Sequence, residues 1–243
     1  MDLTEKTENL RRHPWELSRC YNVLKLMPKN SNLVYADIGA GDQFFTSKLL
    51  QITSENVFAI DNEYQDKRLV QDGIICLNDT SLIENNSIDC LLMMDVLEHI
   101  ENETIFLREG LNKLKANGKL IITVPAMQFL FSSHDVFLKH HRRYSRKQLL
   151  DLLRKHDICI EQSYYFYSSL FIIRCITILF ENLKPKEGKR NIGIGLWGHN
   201  EDSIITHSLV LILNVDFFLN KLLNKIHIRL PGLSLLAICR KNS

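Results

Sequence analysis

The chain of 243 residues is 45% hydrophobic and 24% charged, with a formal net charge of +2, which is the composition of an ordinary folded globular protein. So small a net charge does not by itself indicate a nucleic-acid-binding protein. The six cysteines form no CxxC pair and mostly lie in apolar runs, so we expect buried, reduced thiols and a cytoplasmic location rather than a disulfide framework.

Short apolar runs alternate with helical patterns along the first two thirds of the chain. Strands bounded by helical connections predict an α/β, Rossmann-like fold with a mostly parallel seven-stranded sheet and helices on both faces. The predicted strands are Leu33–Ile38, Asn56–Ile60, Ile74–Leu77, Ile88–Met94, Lys119–Val124, Ile158–Tyr165 and Leu235–Cys239. The predicted helices in this part are Gln43–Gln51, Glu63–Val70, Ile100–Ala116 and Arg146–His156.

We expect a single domain (1–243) with four parts. An N-terminal helical segment (1–30) precedes a cofactor-binding core (31–167), a helical cap (168–230) is inserted next, and the last strand (231–243) closes the chain. The cap contains a basic, glycine-containing break at Lys184–Gly198. Its apolar stretches are interrupted by Arg174 and Asp216 and fall short of the roughly 20 residues that span a bilayer.

The first predicted strand runs into the turn Asp37-Ile38-Gly39-Ala40-Gly41. Glycines allow the backbone to turn tightly and to approach a ligand, and ligands of open α/β sheets bind beyond the carboxyl ends of the strands. A dinucleotide fingerprint would place a third glycine at Phe44, and a phosphate-binding loop would need Gly-Lys-Ser or Gly-Lys-Thr. Asp37 and Asp42 would also repel a pyrophosphate, so the turn favours a ligand with a cationic end.

Acidic and amide side chains follow the next two strands. Asp61 comes about 20 residues after the turn, where a carboxylate can accept both ribose hydroxyls. Asn78 and Asp79 follow the third strand and could contact an adenine amino group. Each of these residues could equally cap a helix or a turn.

These segments resemble the class I S-adenosylmethionine-dependent methyltransferase superfamily, in the group whose members methylate small molecules. The most specific match is Ser87–Ile100, which contains Asp95-Val96-Leu97-Glu98-His99 and is similar to that group's "DVLEH" segment; the similarity covers about residues 33–125. It implies S-adenosylmethionine as cofactor, with the ligand contacts at Asp37, Gly39, Gly41, Asp61, Asn78, Asp79 and Asp95. Gln43 departs from the pattern, because many members carry a glycine there.

Asp95, Glu98 and His99 follow the fourth strand and should reach the methyl-transfer centre. Asp95 could orient the acceptor or the methionine moiety, and His99 is a candidate for contacting the substrate. A structural role for Glu98 and His99 is equally open. Carboxylate and imidazole groups suit several metals, but we expect no metal here.

A loop rich in histidine and arginine follows the fifth strand. Members of the group that carry an HD…HxRRY loop place it on the substrate side of the site, which implies substrate contacts for Asp135, Arg142, Arg143 and Tyr144. Imidazole suits proton transfer near neutral pH, so His134 or His140 is the predicted general base. Alternatively, Arg143 and Tyr144 brace the loop against the sheet. A metal site at His134, Asp135 and His140 lacks the spacing of known zinc patterns.

The cap is too apolar for an ordinary solvated hairpin. Basic residues lie between and after its helices, at Lys184, Lys186, Lys189, Arg190, Lys221, Lys225 and Arg229. This pattern fits a peripheral membrane contact or a lipid-like acceptor. Packing on the sheet edge or a homodimer interface would bury the same surface, so the partner stays open.

Two functions follow from these observations. The first is methyl transfer from S-adenosylmethionine to an oxygen or nitrogen atom of a small acceptor, anionic or lipid-linked. The alternative is a non-catalytic protein that keeps the cofactor fold and recognises a partner through its cap. Two ionisable clusters above the pocket favour the enzyme.

Overall fold

The computed structural model describes residues 11–183 and 198–243. Eight strands form one sheet in the order β3-β4-β2-β1-β5-β6-β8-β7. The strands are β1 (Tyr35–Ile38), β2 (Val57–Ile60), β3 (Arg68–Gln71), β4 (Ile74–Leu77), β5 (Ile88–Met94), β6 (Leu114–Pro125), β7 (Ile158–Phe166) and β8 (Ser234–Lys241). The helices are α1 (Pro14–Leu26), α2 (Phe44–Leu49), α3 (Glu103–Lys113), α4 (Ser133–Phe137), α5 (Arg146–Leu153), α6 (Ser168–Leu183) and α7 (Ile204–Lys225).

The central strands pair in parallel, from β4 through β2, β1 and β5 to β6. All four residues of β1 are buried, as expected for a strand covered on both faces. One core cluster lies on the side of α3 and α5, and a second lies on the side of α1 and α7. The predicted Rossmann-like fold with helices on both faces is therefore confirmed, and the carboxyl ends of the parallel strands meet at one edge of the sheet.

The predicted helix Glu63–Val70 is wrong, and it accounts for the eighth strand. The chain forms the exposed edge strand β3 instead, paired antiparallel with β4. Asp72 and Gly73 join these strands with φ angles of 49° and 82°. An Asp-Gly pair at positive φ is a strong hairpin signal, because its twist matches that of the flanking strands. The Asp-Gly pair in the sequence therefore indicates a hairpin here rather than a helix.

Other predicted helix boundaries shift by a few residues. The helix predicted at Ile100–Ala116 starts only at Glu103, after a 3₁₀ turn at Leu97–His99. Asn102 caps α3, since its side chain accepts a hydrogen bond from the Ile105 backbone N–H at 3.3 Å. Of the two cap helices, α6 follows β7 and α7 precedes β8, while most of the basic break at Lys184–Gly198 lies outside the described residues.

Candidate active site

The turn after β1 keeps a shape that only glycine permits at its first position. Gly39 has φ 75°, and its N–H donates to the Ile60 carbonyl at 2.8 Å. A Cβ on Gly39 would come within 2.4 Å of Val96 Cγ2, so the turn packs directly against the segment that follows β5. Gln43 also adopts the left-handed conformation, with φ 64°. The departure from glycine at Gln43 therefore leaves the backbone path of the turn intact.

Asp37 lies buried at the end of β1, with 2% of its surface exposed. Thr46 Oγ1 donates to Asp37 Oδ2 at 2.8 Å, and burial raises the pKa of Asp37 to about 6. A cavity next to it is also lined by Glu16, Gly39 and Met94. Two carboxyl groups at such a cavity suit the ammonium and sulfonium charges of S-adenosylmethionine, so the residues present fit this cofactor at its methionine end.

Two arginines of the N-terminal segment, to which the sequence assigned no role, lie at or near this cavity. Arg19 of α1 lines it and pairs with Asp95. Arg12 pairs with Asp42 and lies 4.3 Å from the ring centroid of Phe44. Arg19 adds a cation that can pair with the carboxylate of a methionine moiety.

The predicted ribose and adenine residues follow β2 and β4 along the same edge. Asp61 Oδ2 accepts from the Gly41 N–H at 2.8 Å, and Oδ1 accepts from the Glu63 N–H at 3.0 Å. Asp79 is exposed and accepts from the Ser81 N–H at 2.5 Å, while Asn78 is half-buried. The strand order β4-β2-β1 sets these groups in a row beside Asp37, as an extended nucleoside ligand requires.

Asp95 continues this row at the end of β5. It has φ 56°, accepts from Thr123 Oγ1 at 2.8 Å and pairs with Arg19. A left-handed conformation is costly outside glycine, asparagine and aspartate. Two polar partners and this backbone geometry hold the Asp95 carboxylate beside the cavity.

Glu98 is fully buried at 0% exposure, and neither carboxyl oxygen has a hydrogen-bond partner within the described residues. Burial raises the pKa of Glu98 to about 8. An isolated buried carboxylate is costly, so this group is neutral at pH 7 in the free protein. Its neighbours in sequence, Leu97 and His99, form the 3₁₀ turn that carries it.

We expect the stability of the protein to fall as the pH rises through the range in which Glu98 titrates. In the unfolded chain this carboxyl ionises near its ordinary value of 4.5, and in the folded protein near 8. As the pH rises, the carboxyl group therefore loses its proton first in the unfolded chain. The free energy of unfolding that this group contributes is fully present below pH 4.5 and is lost between pH 4.5 and 8. The loss is at most about 1.4 kcal/mol for each unit by which the two pKa values differ. Glu98→Gln should flatten this dependence. Urea unfolding at several pH values measures it, with exposed Glu84→Gln as the control; equal slopes in all three proteins would contradict the assignment.

The loop after β6 folds around Asp135. Ser132 caps the short helix α4 in a capping box with Asp135. The fully buried Asp135 Oδ1 also lies 3.0 Å from His140 Nδ1 and 2.7 Å from Arg143 Nε. Burial alone would raise the pKa of Asp135, but the hydrogen bonds from His140, Arg143 and the Ser132 backbone hold it well below its usual range. An ionised Asp135 assigns the His140 proton to Nδ1 and leaves Nε2 able to accept one.

Arg142, Arg143 and Tyr144 are engaged within the protein. Arg142 donates to Glu103 at 2.7 Å, Arg143 holds Asp135, and the buried Tyr144 hydroxyl donates to Glu103. The structure thus places Arg143 and Tyr144 in the network that braces the loop, rather than at an open acceptor site. Substrate contacts by these three residues stay a prediction that the free protein does not support.

The two predicted bases have different surroundings. His134 Nδ1 is buried without a hydrogen-bond partner in the described part of the chain, and burial lowers the pKa of this histidine. His140 is oriented by Asp135, and its ring meets that of His99 edge-on, with 4.6 Å between centroids. Because His99 follows β5, this contact brings His140 to the carboxyl edge of the sheet. His140 has the geometry of a positioned base, and His134 does not.

Glu98, His99 and His140 also form a cluster whose candidate ligand atoms lie within 4.8 Å of one another. Two imidazoles and one carboxylate are a ligand set that suits several transition metals. In the sequence, two separate sets of possible metal ligands were recognisable: Asp95, Glu98 and His99, and His134, Asp135 and His140. The fold instead brings together members of both sets.

Comparison with known proteins is consistent with this geometry. The family described as "Methyltransferase domain" matches residues 36–122, which include the turn, Asp61, Asp79 and Asp95. No curated protein matches the chain.

Solved structures share the fold at low identity. An S-adenosylmethionine-dependent methyltransferase from Mesorhizobium loti is 14% identical, with a TM-score of 0.55 and coverage of 92% of this chain and 98% of the other. Phosphoethanolamine N-methyltransferase 2 of Haemonchus contortus is also 14% identical, with a TM-score of 0.56 over 95% of this chain and 54% of the other. The [4+2]-cyclase SpnF is 15% identical, with a TM-score of 0.59 over 97% and 85%.

A shared fold at this identity does not transfer an activity, as the cyclase illustrates. The domain match and the geometry of the turn are more specific. Residues 36–122 match the methyltransferase domain family, and the whole chain has the fold of solved S-adenosylmethionine-dependent methyltransferases.

Proposed function

We propose that this protein transfers a methyl group from S-adenosylmethionine to an oxygen or nitrogen atom of a small or lipid-linked acceptor. The observation that carries the proposal is the 3.0 Å contact between His140 Nδ1 and Asp135 Oδ1, at the edge of the sheet where Asp37 and Asp95 lie. A protein that only bound the cofactor would have no use for an oriented imidazole there.

The cofactor supplies a methyl group activated by a sulfonium, so the protein has to position the acceptor and remove its proton. Asp37 and Glu16 balance the positive charges at the methionine end, and Asp61 offers acceptor oxygens for ribose hydroxyls. His140 takes the proton of the acceptor on Nε2, while Asp135 stabilises the resulting imidazolium. Asp135 is therefore a positioning residue, and His140 is the proposed base.

The surroundings of the loop favour an apolar or lipid-linked acceptor over a small anion. The arginines that could bind an anion, Arg142 and Arg143, are already paired with carboxylates. Phe129, Val136 and Phe137 are exposed on the same loop, Phe129 at 65%. An apolar rim of this kind recognises hydrocarbon rather than charge.

Calorimetric titration tests the cofactor. We expect S-adenosylhomocysteine to bind with a stoichiometry of one per chain and NAD to give no heat, because Asp37 and Asp42 disfavour a pyrophosphate at the turn. Transfer of a labelled methyl group into lipid and water-soluble fractions of a cell extract then tests activity and sorts the acceptor. Binding of NAD alone would overturn the proposal.

The second candidate is a non-catalytic member of the fold that binds a partner. It is favoured by the loop, in which Arg142 and Arg143 are paired with Glu103 and Asp135 rather than open to an acceptor. The two candidates differ in what His140 does, since only the enzyme needs it. For either candidate the cytoplasmic location stays a prediction from the sequence; Cys159 is exposed rather than buried.

We expect methyl transfer to survive treatment with EDTA and dialysis. The proposed reaction uses His140, oriented by Asp135, as its base and uses no metal ion, so chelation removes nothing that the reaction needs. Turnover before and after chelation, with metal content measured by mass spectrometry, checks this. If chelation abolishes turnover and Zn²⁺ restores it, Glu98, His99 and His140 hold a metal, and His140 is not the base.

A further inference from the structure

Helix α7 is fixed to the protein along one side. Leu213 and Phe217 are buried on it, and the Phe217 ring lies 5.7 Å from Tyr164 and 5.9 Å from Phe166 of β7, centroid to centroid. On the same helix Asn214 accepts hydrogen bonds from two side chains of α1. These contacts set which side of α7 faces away from the sheet.

The opposite side of α7 is also apolar. Its large side chains are well exposed, Ile204 at 84%, and from Leu211 to Leu222 they recur at intervals of three and four. They are Ile204, Ile205, Leu211, Ile212, Val215, Phe218, Leu219 and Leu222. A helix that is hydrophobic on all sides is normally covered on all sides, and a patch of this extent marks a contact surface.

The patch extends to both neighbours of α7. Helix α6 adds exposed Ile172, Ile173 and Ile176. After α7, the exposed apolar side chains of Ile226, Ile228 and Leu230 alternate with the exposed basic residues Lys225, His227 and Arg229. We call the exposed apolar side chains of α6, α7 and 226–230 the cap face.

The charge is positive at the end of the cap face formed by the second half of α7 and residues 226–230. Between residues 209 and 230 the lysines and arginines are Lys221, Lys225 and Arg229, and Asp216 is the one acidic residue, whereas the exposed acids Glu201 and Asp202 precede the other end of α7. Asp216 is turned toward the protein, where it accepts from the backbone N–H groups of Ser168 and Ser169 at 3.1 and 2.7 Å. Apolar side chains bordered by basic ones complement an anionic lipid surface.

Orientation distinguishes lying on a membrane from crossing it. By length and composition α7 is the one helix in the described part of the chain that could cross a bilayer. Its polar side chains Asn214, Asp216 and Asn220 are, however, hydrogen-bonded inside the protein. A helix held along one side in this way can bury only its outer side in the interfacial region.

From these observations we propose that the cap face docks on a membrane surface containing anionic lipids, with α7 lying in the plane of the interface. The face reaches the candidate active site, because Phe171 of α6 meets Phe129 of the loop edge-on, 6.1 Å between centroids. The docked protein therefore presents its loop to acceptors that reside in the membrane; this last step rests on the proposed function, whereas docking itself does not.

Flotation with vesicles tests docking without any need for activity. The full chain is mixed with vesicles of phosphatidylcholine alone or of phosphatidylcholine and phosphatidylglycerol in equal amounts. We expect strong partitioning to the anionic vesicles, weak partitioning to the neutral ones, and a decrease in binding as salt is added. No binding to the anionic vesicles, or equal binding to both, would overturn the proposal.

Two double variants identify the surface. Leu211→Gln with Phe218→Gln should weaken vesicle binding by at least about tenfold, since two large exposed apolar groups no longer enter the lipid. Lys225→Glu with Arg229→Glu should weaken binding to anionic vesicles by at least about tenfold. Val70→Gln is the matched control, because Val70 is equally apolar and exposed on the remote edge strand β3. Circular dichroism and thermal unfolding confirm that the variants are folded.

The competing occupant, a second copy of the chain, gives a different pattern. In that case the protein is a dimer without lipid, the Leu211→Gln/Phe218→Gln variant is a monomer, and its vesicle binding equals that of the wild type. That pattern overturns the proposal. A failure of methyl transfer with intact flotation would remove the proposed function and leave the docking surface in place.

Discussion

Replacing His140 by alanine is expected to lower kcat by a factor of about 10²–10⁴, the usual contribution of a general base. The Kd for S-adenosylhomocysteine should stay within about twofold of the wild type. The predicted cofactor contacts lie along the edge of the sheet as far as Asp95 and do not include the loop that carries His140. Asp135 holds His140 by a 3.0 Å contact, so Asp135→Asn should also lower kcat, while the Kd for S-adenosylhomocysteine stays near that of the wild type.

The neighbouring histidines provide the controls. His141 is exposed and lies next to His140 in sequence, so His141→Ala should leave turnover unchanged. His134→Ala separates the two bases predicted from the sequence. Steady-state kinetics and calorimetry on the wild type and these four variants make the measurement. Full activity in His140→Ala, together with a large loss in His134→Ala, would move the role of base to His134.

Replacing Asp37 by alanine is expected to weaken the binding of S-adenosylmethionine by about 10- to 100-fold, the value of a hydrogen bond or ion pair to a charged group. Asp37 is 98% buried and has Thr46 as its hydrogen-bond partner, so the variant loses charge and an internal contact together. Asp37→Asn keeps the shape and removes the charge. A similar loss in both variants would attribute the effect to the charge.

The pH dependence of binding gives a second measurement at the same residue. Burial raises the pKa of Asp37 to about 6, and a cationic ligand binds the ionised form. Affinity should therefore rise between pH 5 and 7 in the wild type and stay flat in Asp37→Asn. Asp89→Asn is the matched control, because Asp89 lies at the opposite end of the sheet and pairs with Lys115. Unchanged affinity in Asp37→Ala would show that the cofactor does not bind at this turn.

Much of the core was predictable because its signals are local. A run such as Tyr35–Ile38, ending in glycines, predicts a buried strand and a tight turn, and the structure confirms both. The edge hairpin was missed because the charged segment Glu63–Val70 fits an exposed helix as well as an exposed strand. Both alternatives leave these residues exposed, so the hydrophobic pattern does not distinguish a helix from a strand. Only the Asp72-Gly73 turn indicates the hairpin.

The residues of the site divide in the same way. Asp37, Asp61, Asp79 and Asp95 each end or follow a parallel strand, so the sequence by itself determined that they share one edge of the sheet. It could not show that Arg19 would cross to Asp95, a contact between residues 76 apart in sequence. Contacts of that kind depend on how helices dock, which no local pattern encodes.

The sequence therefore determined the Rossmann-like core, the cofactor turn and the apolar character of the cap. The sequence did not show that His140 is held by Asp135, that Arg143 is paired within the loop, or that the apolar side of α7 faces outward. The physical reason is the same in each case. Strand order and turns follow from hydrophobic period and backbone sterics, whereas the partner of a side chain is settled by the packing of distant segments.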